Sequence, residues 1–116
     1  MNNSTLINQR NGNIVSLQTR VANTWIKRLV GLLTEKKLNA GDALWIQPCS
    51  SIHTIGMRFP IDVVFLDKNH RIKKLGKSVK PYRFCASLKG TKSVLELPVG
   101  SIASAGLQRG DKLLVQ

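Results

Sequence analysis

Apolar and polar residues alternate over several short stretches of the chain, which is the pattern of strands in a half-buried sheet. The clearest run is Ile61–Leu66, IDVVFL, which is also the most apolar part of the sequence. Further runs bounded by turn residues predict strands at Ala43–Ile46, Arg71–Val79, Ser93–Val99 and Lys112–Val115. The pattern therefore predicts a succession of short strands joined by tight turns.

The N-terminal part predicts two more strands, joined by a turn at Asn11–Asn13. Ile14–Val21 alternates close to period two, so its polar residues, among them Ser16, are expected to face water. Leu6 and Ile7 are expected to pair with this run as a short edge strand. Residues 1–12 are polar overall and are predicted to form a loosely held arm.

Two helical segments interrupt the strand pattern. The longer one is predicted from apolar residues spaced i, i+4, i+7 and i+8, which places them on one helical face: Trp25, Leu29, Leu32 and Leu33. A helix of little more than one turn is predicted at Ile102–Ala105, with Ser101 as its N-cap and Gly106 at its end.

These elements predict the α+β fold class: a compact, mostly antiparallel, curled or barrel-like sheet with one amphipathic helix and one short helical turn. The length of 116 residues suits a single domain over residues 1–116. A composition of 42% hydrophobic and 21% charged residues excludes disordered and collagen-like chains. Since the sequence shows neither a signal peptide nor the roughly 20 apolar residues that span a bilayer, a cytoplasmic location is expected.

The stretch Cys49–Asp67, CSSIHTIGMRFPIDVVFLD, holds the densest set of chemically capable side chains. Six residues are predicted to line a small polar pocket beside an apolar sheet face: Cys49, His53, Thr54, Met57, Arg58 and Asp62. This pocket is predicted to bind a small ligand or a protein partner of unknown identity. An enzyme is the less favoured alternative, with Asp62 and His53 as base and orienting group, or Cys49 as nucleophile.

Asp62 is the most informative member of this pocket. Strand parity places it on the same face as Val64 and Leu66, where a carboxylate is costly unless it is paired or hydrogen-bonded. Its candidate partners are Arg58, His53 and the backbone N–H groups of the bend around Gly56. Two interpretations remain open: a structural residue that fixes the bend, or an acid, base or orienting group in the pocket.

The formal charge of +12 is unevenly distributed, because nine basic residues and no acidic one lie between Lys68 and Leu95. The predicted anion-binding patch consists of Arg71, Lys73, Lys74, Lys77, Lys80, Arg83, Lys89 and Lys92. It favours a polyanion, a nucleic acid or an acidic protein as partner, and Tyr82 and Phe84 inside it are residues on which bases stack. A charge that serves solubility alone is the competing interpretation.

Local patterns near this patch give further predictions. Asp67–His70 is expected to form a hairpin turn, with Asn69 in the left-handed conformation and His70 exposed to solvent. Glu96 is an isolated acid among many cations, so it is expected to form a salt bridge.

No cofactor and no metal are predicted. Cys49 and Cys85 are the two cysteines, lie 36 positions apart and are expected to be reduced. Cys49, His53 and Asp62 could be counted as metal ligands, but their spacing is too loose for a typical zinc site. Phosphate loops, nucleophile elbows and dinucleotide fingerprints are not found in the sequence, so those enzyme classes are set aside.

Three segments together resemble the domain-of-unknown-function family 192, DUF192. They are Trp25–Leu33, Ile52–Ile72 with IHTIGMRFPIDVVFLDKNHRI, and Leu95–Leu113 with LELPVGSIASAGLQRGDKL. The resemblance covers nearly the whole chain after about residue 14 and implies a compact α+β domain dominated by a curled antiparallel sheet. It implies no enzymatic activity, since none is assigned to the family as a whole. Many related proteins look exported or are preceded by a membrane segment. Some are encoded beside pilus or secretion genes, so the resemblance would suit an accessory role in assembly.

Overall fold

The computed structural model describes residues 4–22, 38–47, 51–53, 59–80, 84–86 and 89–116. In this part of the chain the strands are β1 Ser4–Asn8, β2 Ile14–Ala22, β3 Asp42–Ile46, β4 Ser51–His53, β5 Ile61–Leu66, β6 Ile72–Val79, β7 Phe84–Ala86, β8 Ser93–Pro98 and β9 Leu113–Val115. One helix, α1, spans Ser101–Ala105. The predicted helix around Trp25–Leu33 lies outside the described residues.

Seven of these strands form one sheet in the order β6-β5-β8-β3-β2-β1-β9, and β4 pairs with β7 in a separate ribbon. All neighbouring strands are antiparallel except β2 and β3, which run parallel. The predicted fold class is confirmed: a mostly β domain built on a curled, mostly antiparallel half-barrel sheet with a short helix.

The two strands at the ends of the sheet order approach each other at one end of the half-barrel. Arg71 and Lys112 form an isolated antiparallel bridge there. The Ile72 N–H donates to the Asp111 carbonyl at 2.8 Å, and the Leu113 N–H donates to the His70 carbonyl at 2.9 Å. These bonds join the start of β6 to the start of β9, so the sheet curls back on itself.

Strand β5 is the centre of the hydrophobic core, and all six of its residues are buried. Val64 and Leu66 belong to a first apolar cluster, which also includes Trp45, Leu95, Leu97 and Ile102. Ile61, Val63 and Phe65 belong to a second apolar cluster, with Leu44, Ile46 and Val94. The strand parity predicted for β5 is therefore confirmed, and each face of the sheet has its own core.

The prediction that Leu6 and Ile7 form an edge strand is wrong. Strand β1 lies between β2 and β9 and pairs with both. Leu6 is fully buried in the first apolar cluster. Residues 4–8 therefore form an interior strand of the sheet.

The prediction that the polar residues of β2 face water and its apolar residues are buried is not met. Ile14 and Leu17 are 54% and 56% exposed, whereas Ser16 and Thr19 are buried and hydrogen-bonded to each other through their hydroxyl groups. The pairing with β1 contains register shifts, which interrupt the alternation of side chains. Ile14 and Leu17 instead line an open groove of about 550 Å³ beside α1.

The Asp67–His70 turn forms as predicted, but with a different residue in the left-handed conformation. His70 has φ 64°, and the Asp67 carboxylate accepts the N–H groups of Asn69 and Arg71 at 2.8 and 3.0 Å. The His70 ring is partly buried and contacts Trp45 edge-on, with ring centroids 4.8 Å apart. The prediction of a solvent-exposed His70 is therefore wrong.

The short helix α1 starts one residue earlier than predicted. Gly100, with φ 93°, is its N-cap, and the Ser101 hydroxyl donates to the Pro98 carbonyl at 2.6 Å instead of capping the helix. Gly106 ends the helix in the left-handed conformation, as predicted. A side chain outside the helix therefore has to satisfy its first N–H groups.

Candidate functional site

The structure describes two of the six residues predicted to line the pocket, His53 and Asp62. Cys49, Thr54, Met57 and Arg58 lie outside the described residues, and His53 is described as the last residue of β4, where its backbone pairs with Phe84. Asp62 is the member whose side chain is described. The polar pocket around these six residues therefore stays a prediction.

The Asp62 carboxylate joins three parts of the fold. It is 1% exposed and accepts the Ser78 N–H at 2.9 Å on one oxygen. Its other oxygen accepts the N–H groups of Gly100 at 3.1 Å and Ile102 at 2.9 Å. Asp62 thus satisfies the N–H groups at the start of α1 and links β5 to the end of β6.

These donors were not among the partners predicted for Asp62, since they lie far from it along the chain. Ser78 lies 16 positions from Asp62, and Gly100 lies 38 positions away. Ser78 also has φ 50°, an uncommon conformation for a residue with a side chain. The described contacts of Asp62 are those of a structural residue, while Arg58 and Gly56 lie outside the described part of the chain.

A second buried acid, Asp111, connects the N-terminal hairpin to the C-terminal turn. Its carboxylate binds the Arg10 guanidinium at 2.7 and 3.2 Å and accepts bonds from the Asn8 amide and the Gln108 N–H, both at 2.9 Å. The hydrogen bond from Arg10 is the largest of several effects that lower the pKa of Asp111, although burial opposes it. Sequence patterns gave no sign of this pair, which is separated by 101 positions.

Glu96 differs from both of these acids. It is 0% exposed, and within the described part of the chain neither carboxylate oxygen has a hydrogen-bond partner. Burial raises its pKa well above the usual range. The salt bridge predicted for Glu96 is therefore wrong. In the sheet, Glu96 is paired in register with Leu44 on one side and Val63 on the other. Its side chain thus projects onto the face of the second apolar cluster.

A few charged residues share this face with Glu96. The strand register places Arg20 and Asp42 on the same face of β2 and β3, and both are partly buried. Lys74 pairs with Phe65, and its ammonium group lies 5.8 Å from the centre of the Phe65 ring. Among the described ionisable residues of this face, Glu96 is fully buried, whereas Arg20, Asp42 and Lys74 are partly buried.

The positive charge concentrates where the two end strands meet. A cleft of about 420 Å³ lies there, lined by Asp67, Arg71, Ile72, Lys73, Arg109 and Gly110. The Arg71 guanidinium donates to the Gly110 carbonyl at 3.1 Å, which fixes it at the cleft. Arg109 was missed in the sequence analysis because it lies far along the chain from the predicted patch.

A third segment brings further cations to this place. The Lys92 N–H donates to the Leu66 carbonyl at 2.8 Å, which attaches the turn before β8 to the end of β5. Gly90 in this turn lies beside the Lys73 side chain. We define the basic end as the exposed or partly exposed cations of the three segments: Lys68, Arg71, Lys73, Lys89, Lys92, Arg109 and Lys112.

The basic end shares four residues with the predicted anion-binding patch: Arg71, Lys73, Lys89 and Lys92. Lys77 and Lys80 follow later in and after β6, away from the cleft, and Lys74 lies over Phe65. Arg83 lies outside the described residues. Asp67 is the acid that lines the cleft; burial would raise its pKa, but hydrogen bonds from the Arg71 and Asn69 N–H groups and nearby cations outweigh burial and lower it.

The described residues contain no group of three or more His, Cys, Asp or Glu side chains arranged to hold a metal ion. No helical segment in the described part of the chain has the length and hydropathy needed to span a bilayer.

The chain is similar to members of a known protein family over most of its length. The DUF192 family model, described as an uncharacterised ACR, matches residues 6–115. A UPF0127 protein of Thermococcus sibiricus is 33% identical over 113 residues, which cover 93% of this chain and 72% of the relative. A UPF0127 protein of Pyrococcus furiosus is 30% identical over 113 residues, covering 93% of this chain and 95% of the relative.

Two solved structures have the same fold. A protein of unknown function from Novosphingobium aromaticivorans matches with a TM-score of 0.81 at 20% identity, over 96% of this chain and 82% of its own. A protein from Sinorhizobium meliloti matches with a TM-score of 0.83 at 20% identity, over 97% of this chain and 91% of its own.

Proposed function

This chain belongs to the DUF192 (UPF0127) family, and within it we propose a small binding domain that holds a nucleic acid at its basic end. The observation that carries the proposal is the convergence of cations from three segments distant in sequence, beside a cleft of about 420 Å³. A charge that served solubility alone would have no reason to converge at one place.

The charge balance of the basic end favours an anionic partner. Its seven cations face two acids, Asp67 and Asp111, and Asp111 is already paired with Arg10. The net field there is therefore strongly positive, and it attracts phosphate groups without reading their sequence. The surface suits a polymer, because the three segments of the basic end carry four further cations besides the three that line the cleft.

Arg71 supplies the fixed point of this surface. One of its N–H groups is held by the Gly110 carbonyl, and a guanidinium has five N–H donors in all. The remaining donors can bind phosphate oxygens with little further loss of side-chain freedom. Lys73 and Arg109 line the same cleft and provide its other cations.

The test is a binding titration of fluorescent single-stranded and duplex oligonucleotides at two salt concentrations. Contacts from four of the seven cations of the basic end to phosphates would reduce the affinity about a hundredfold between 50 and 200 mM salt. Lys73→Glu combined with Arg109→Glu should reduce affinity by tenfold or more at low salt, because both cations line the cleft.

The matched control is Lys77→Glu combined with Lys80→Glu, which makes the same change in net charge at exposed positions away from the cleft. It should reduce affinity much less than the cleft variant. Equal losses in the two variants would mean that only net charge matters and would overturn the proposed site. Binding that is unchanged by salt would overturn the electrostatic mechanism.

A further inference from the structure

The C-terminal turn, Gln108–Asp111, carries Arg109 to the cleft at the basic end. Two hydrogen bonds close this turn. The Asp111 carboxylate accepts the Gln108 N–H at 2.9 Å, and the Asp111 N–H donates to the Gln108 carbonyl at 3.1 Å. Because Arg109 lies between the two bonded residues, its position depends on the Asp111 side chain.

The same turn holds the other arginine of the cleft. The Gly110 carbonyl accepts a hydrogen bond from the Arg71 guanidinium at 3.1 Å. The Gly110 N–H donates to the Ile72 carbonyl at 2.8 Å, so the turn lies against the start of β6. The spacing between Arg71 and Arg109 is therefore set by the conformation of one short turn.

Asp111 is itself held from the N-terminal hairpin. The Arg10 guanidinium binds both of its carboxylate oxygens, and the Asn8 amide donates to it at 2.9 Å. Arg10 also donates to the Gly106 carbonyl at 2.6 Å, just before the turn begins. Asp111 is 5% exposed, so these bonds are largely shielded from water. The hairpin thus supports the turn that carries the cations of the cleft.

We propose that Asp111 is the positioning residue of the nucleic-acid site, and that its bonds keep Arg71 and Arg109 at the spacing that binds phosphate groups. The inference rests on the proposed nucleic-acid binding and adds to that site a residue whose own charge repels the ligand. A backbone that already holds its cations in place avoids part of the ordering cost of binding. Asp111 therefore favours the binding of an anion through geometry, against its own electrostatic effect.

These two effects of Asp111 have opposite signs, which makes them separable. Asp111 places a negative charge beside the basic end, so charge alone predicts that its removal strengthens the binding of a polyanion. Positioning predicts that its removal weakens the binding, because the turn that carries Arg109 loses a closing bond and its attachment to the hairpin. The sign of the change in affinity distinguishes the two.

The test is the titration of a fluorescent oligonucleotide over a range of salt concentrations, at a temperature at which circular dichroism shows each protein to be folded. Asp111→Ala should lower the affinity about fivefold at low salt. It should also reduce the slope of log affinity against log salt by about 0.9, the share of one phosphate contact.

Arg10→Lys is a second variant that leaves Asp111 in place. It keeps the net charge but cannot form the forked contact of a guanidinium with both carboxylate oxygens. Its affinity should fall in the same direction as that of Asp111→Ala, with no change in charge to account for the loss.

Asp67→Asn is the matched control, because it removes one negative charge from a residue that lines the cleft. It keeps the Oδ1 atom that accepts the N–H groups of Asn69 and Arg71, so its turn stays closed. Its affinity should rise, opposite to the change in Asp111→Ala. In an Arg109→Ala background, which lacks the cation of the C-terminal turn, Asp111→Ala should cause a smaller loss than in the wild type.

The outcomes separate this inference from the proposed function. If the wild type binds and Asp111→Ala binds equally well or more tightly, the inference alone is wrong. An equal loss from Asp111→Ala with and without Arg109 would also contradict it, since the effect would not pass through the turn. A wild type that binds no oligonucleotide would overturn the proposed function, and the inference with it.

Discussion

Two buried acids on neighbouring strands, Asp62 and Glu96, have opposite environments. Asp62 on β5 pairs in register with Leu97, the residue next to Glu96 on β8. The two side chains therefore lie close along the sheet but on opposite faces. Asp62 accepts three backbone hydrogen bonds, whereas Glu96 has no partner among the described residues. Equal burial thus tells little about the role of an acid until its donors are known.

The difference follows from which segments return to each face. On the face of the first apolar cluster, the end of β6 and the start of α1 lie beside Asp62. Both segments have backbone N–H groups that need an acceptor. The register sets Glu96 among side chains of the sheet itself, of which Leu44 and Val63 are its direct neighbours. On the face of the first apolar cluster the Asp62 carboxylate accepts backbone N–H groups. On the face of the second apolar cluster the buried Glu96 carboxyl group lowers the stability of the fold.

Asp62→Ala should have the largest effect, because it leaves three buried N–H groups without an acceptor. We expect the free energy of unfolding to fall by about 3 to 5 kcal/mol, measured by urea denaturation. Asp62→Asn keeps one acceptor oxygen and should lose less. A decrease below about 1 kcal/mol for Asp62→Ala would contradict the structural role that its contacts indicate.

Asp111→Ala extends the comparison to a third acid, whose partners are mostly side chains. The loss of its bonds to Arg10, Asn8 and the Gln108 N–H should cost about 2 kcal/mol. The pKa of Asp111 is lowered in the folded protein, so its contribution is present above the ordinary Asp value of about 3.9 and is lost as the pH falls through the folded value. The wild-type and variant stability curves should therefore approach each other as the pH falls below the ordinary Asp value. Curves that stay parallel into acid would show that Asp111 acts through packing.

Glu96→Leu should have the smallest effect and the opposite sign. Because the pKa of Glu96 is raised by burial, the unfolded chain loses this proton at a lower pH than the folded protein does. Stability therefore falls as the pH rises from about 4.3 through the folded pKa. Glu96→Leu should stabilise the protein by about 1 to 2 kcal/mol at pH 8, and the gain should shrink towards pH 4. Destabilisation at both pH values would show that Glu96 has a favourable partner in the folded state.

Sequence patterns were most informative where neighbours along the chain decide the structure. The alternation in Ile61–Leu66 predicted the strand, the two faces and the burial of Asp62. The turn after β5 and the glycine that ends α1 were also predicted, since their residues act on their own backbone. Each of these features depends on a few adjacent residues.

The errors concern features that depend on distant segments. The identity of the Asp62 donors required knowing that Ser78 and Gly100 return to the start of β5. The basic end includes Arg109 because the C-terminal turn meets the start of β6. Glu96 was assigned a salt bridge from the composition of its sequence neighbourhood, although its strand buries the side chain between Leu44 and Val63. Tertiary contacts, rather than local preference, decide all three cases.

The position of β1 has a consequence for how the protein is made. One side of β1 pairs with β2 directly after it in sequence, but its other side pairs with residues 113–115. During synthesis the hairpin of β1 and β2 therefore leaves the ribosome with an open edge, which remains unpaired until nearly the whole domain has been translated. Open edges of this kind recruit strands from other chains. The segment between β2 and β9 therefore has to be translated before this edge of β1 can be paired.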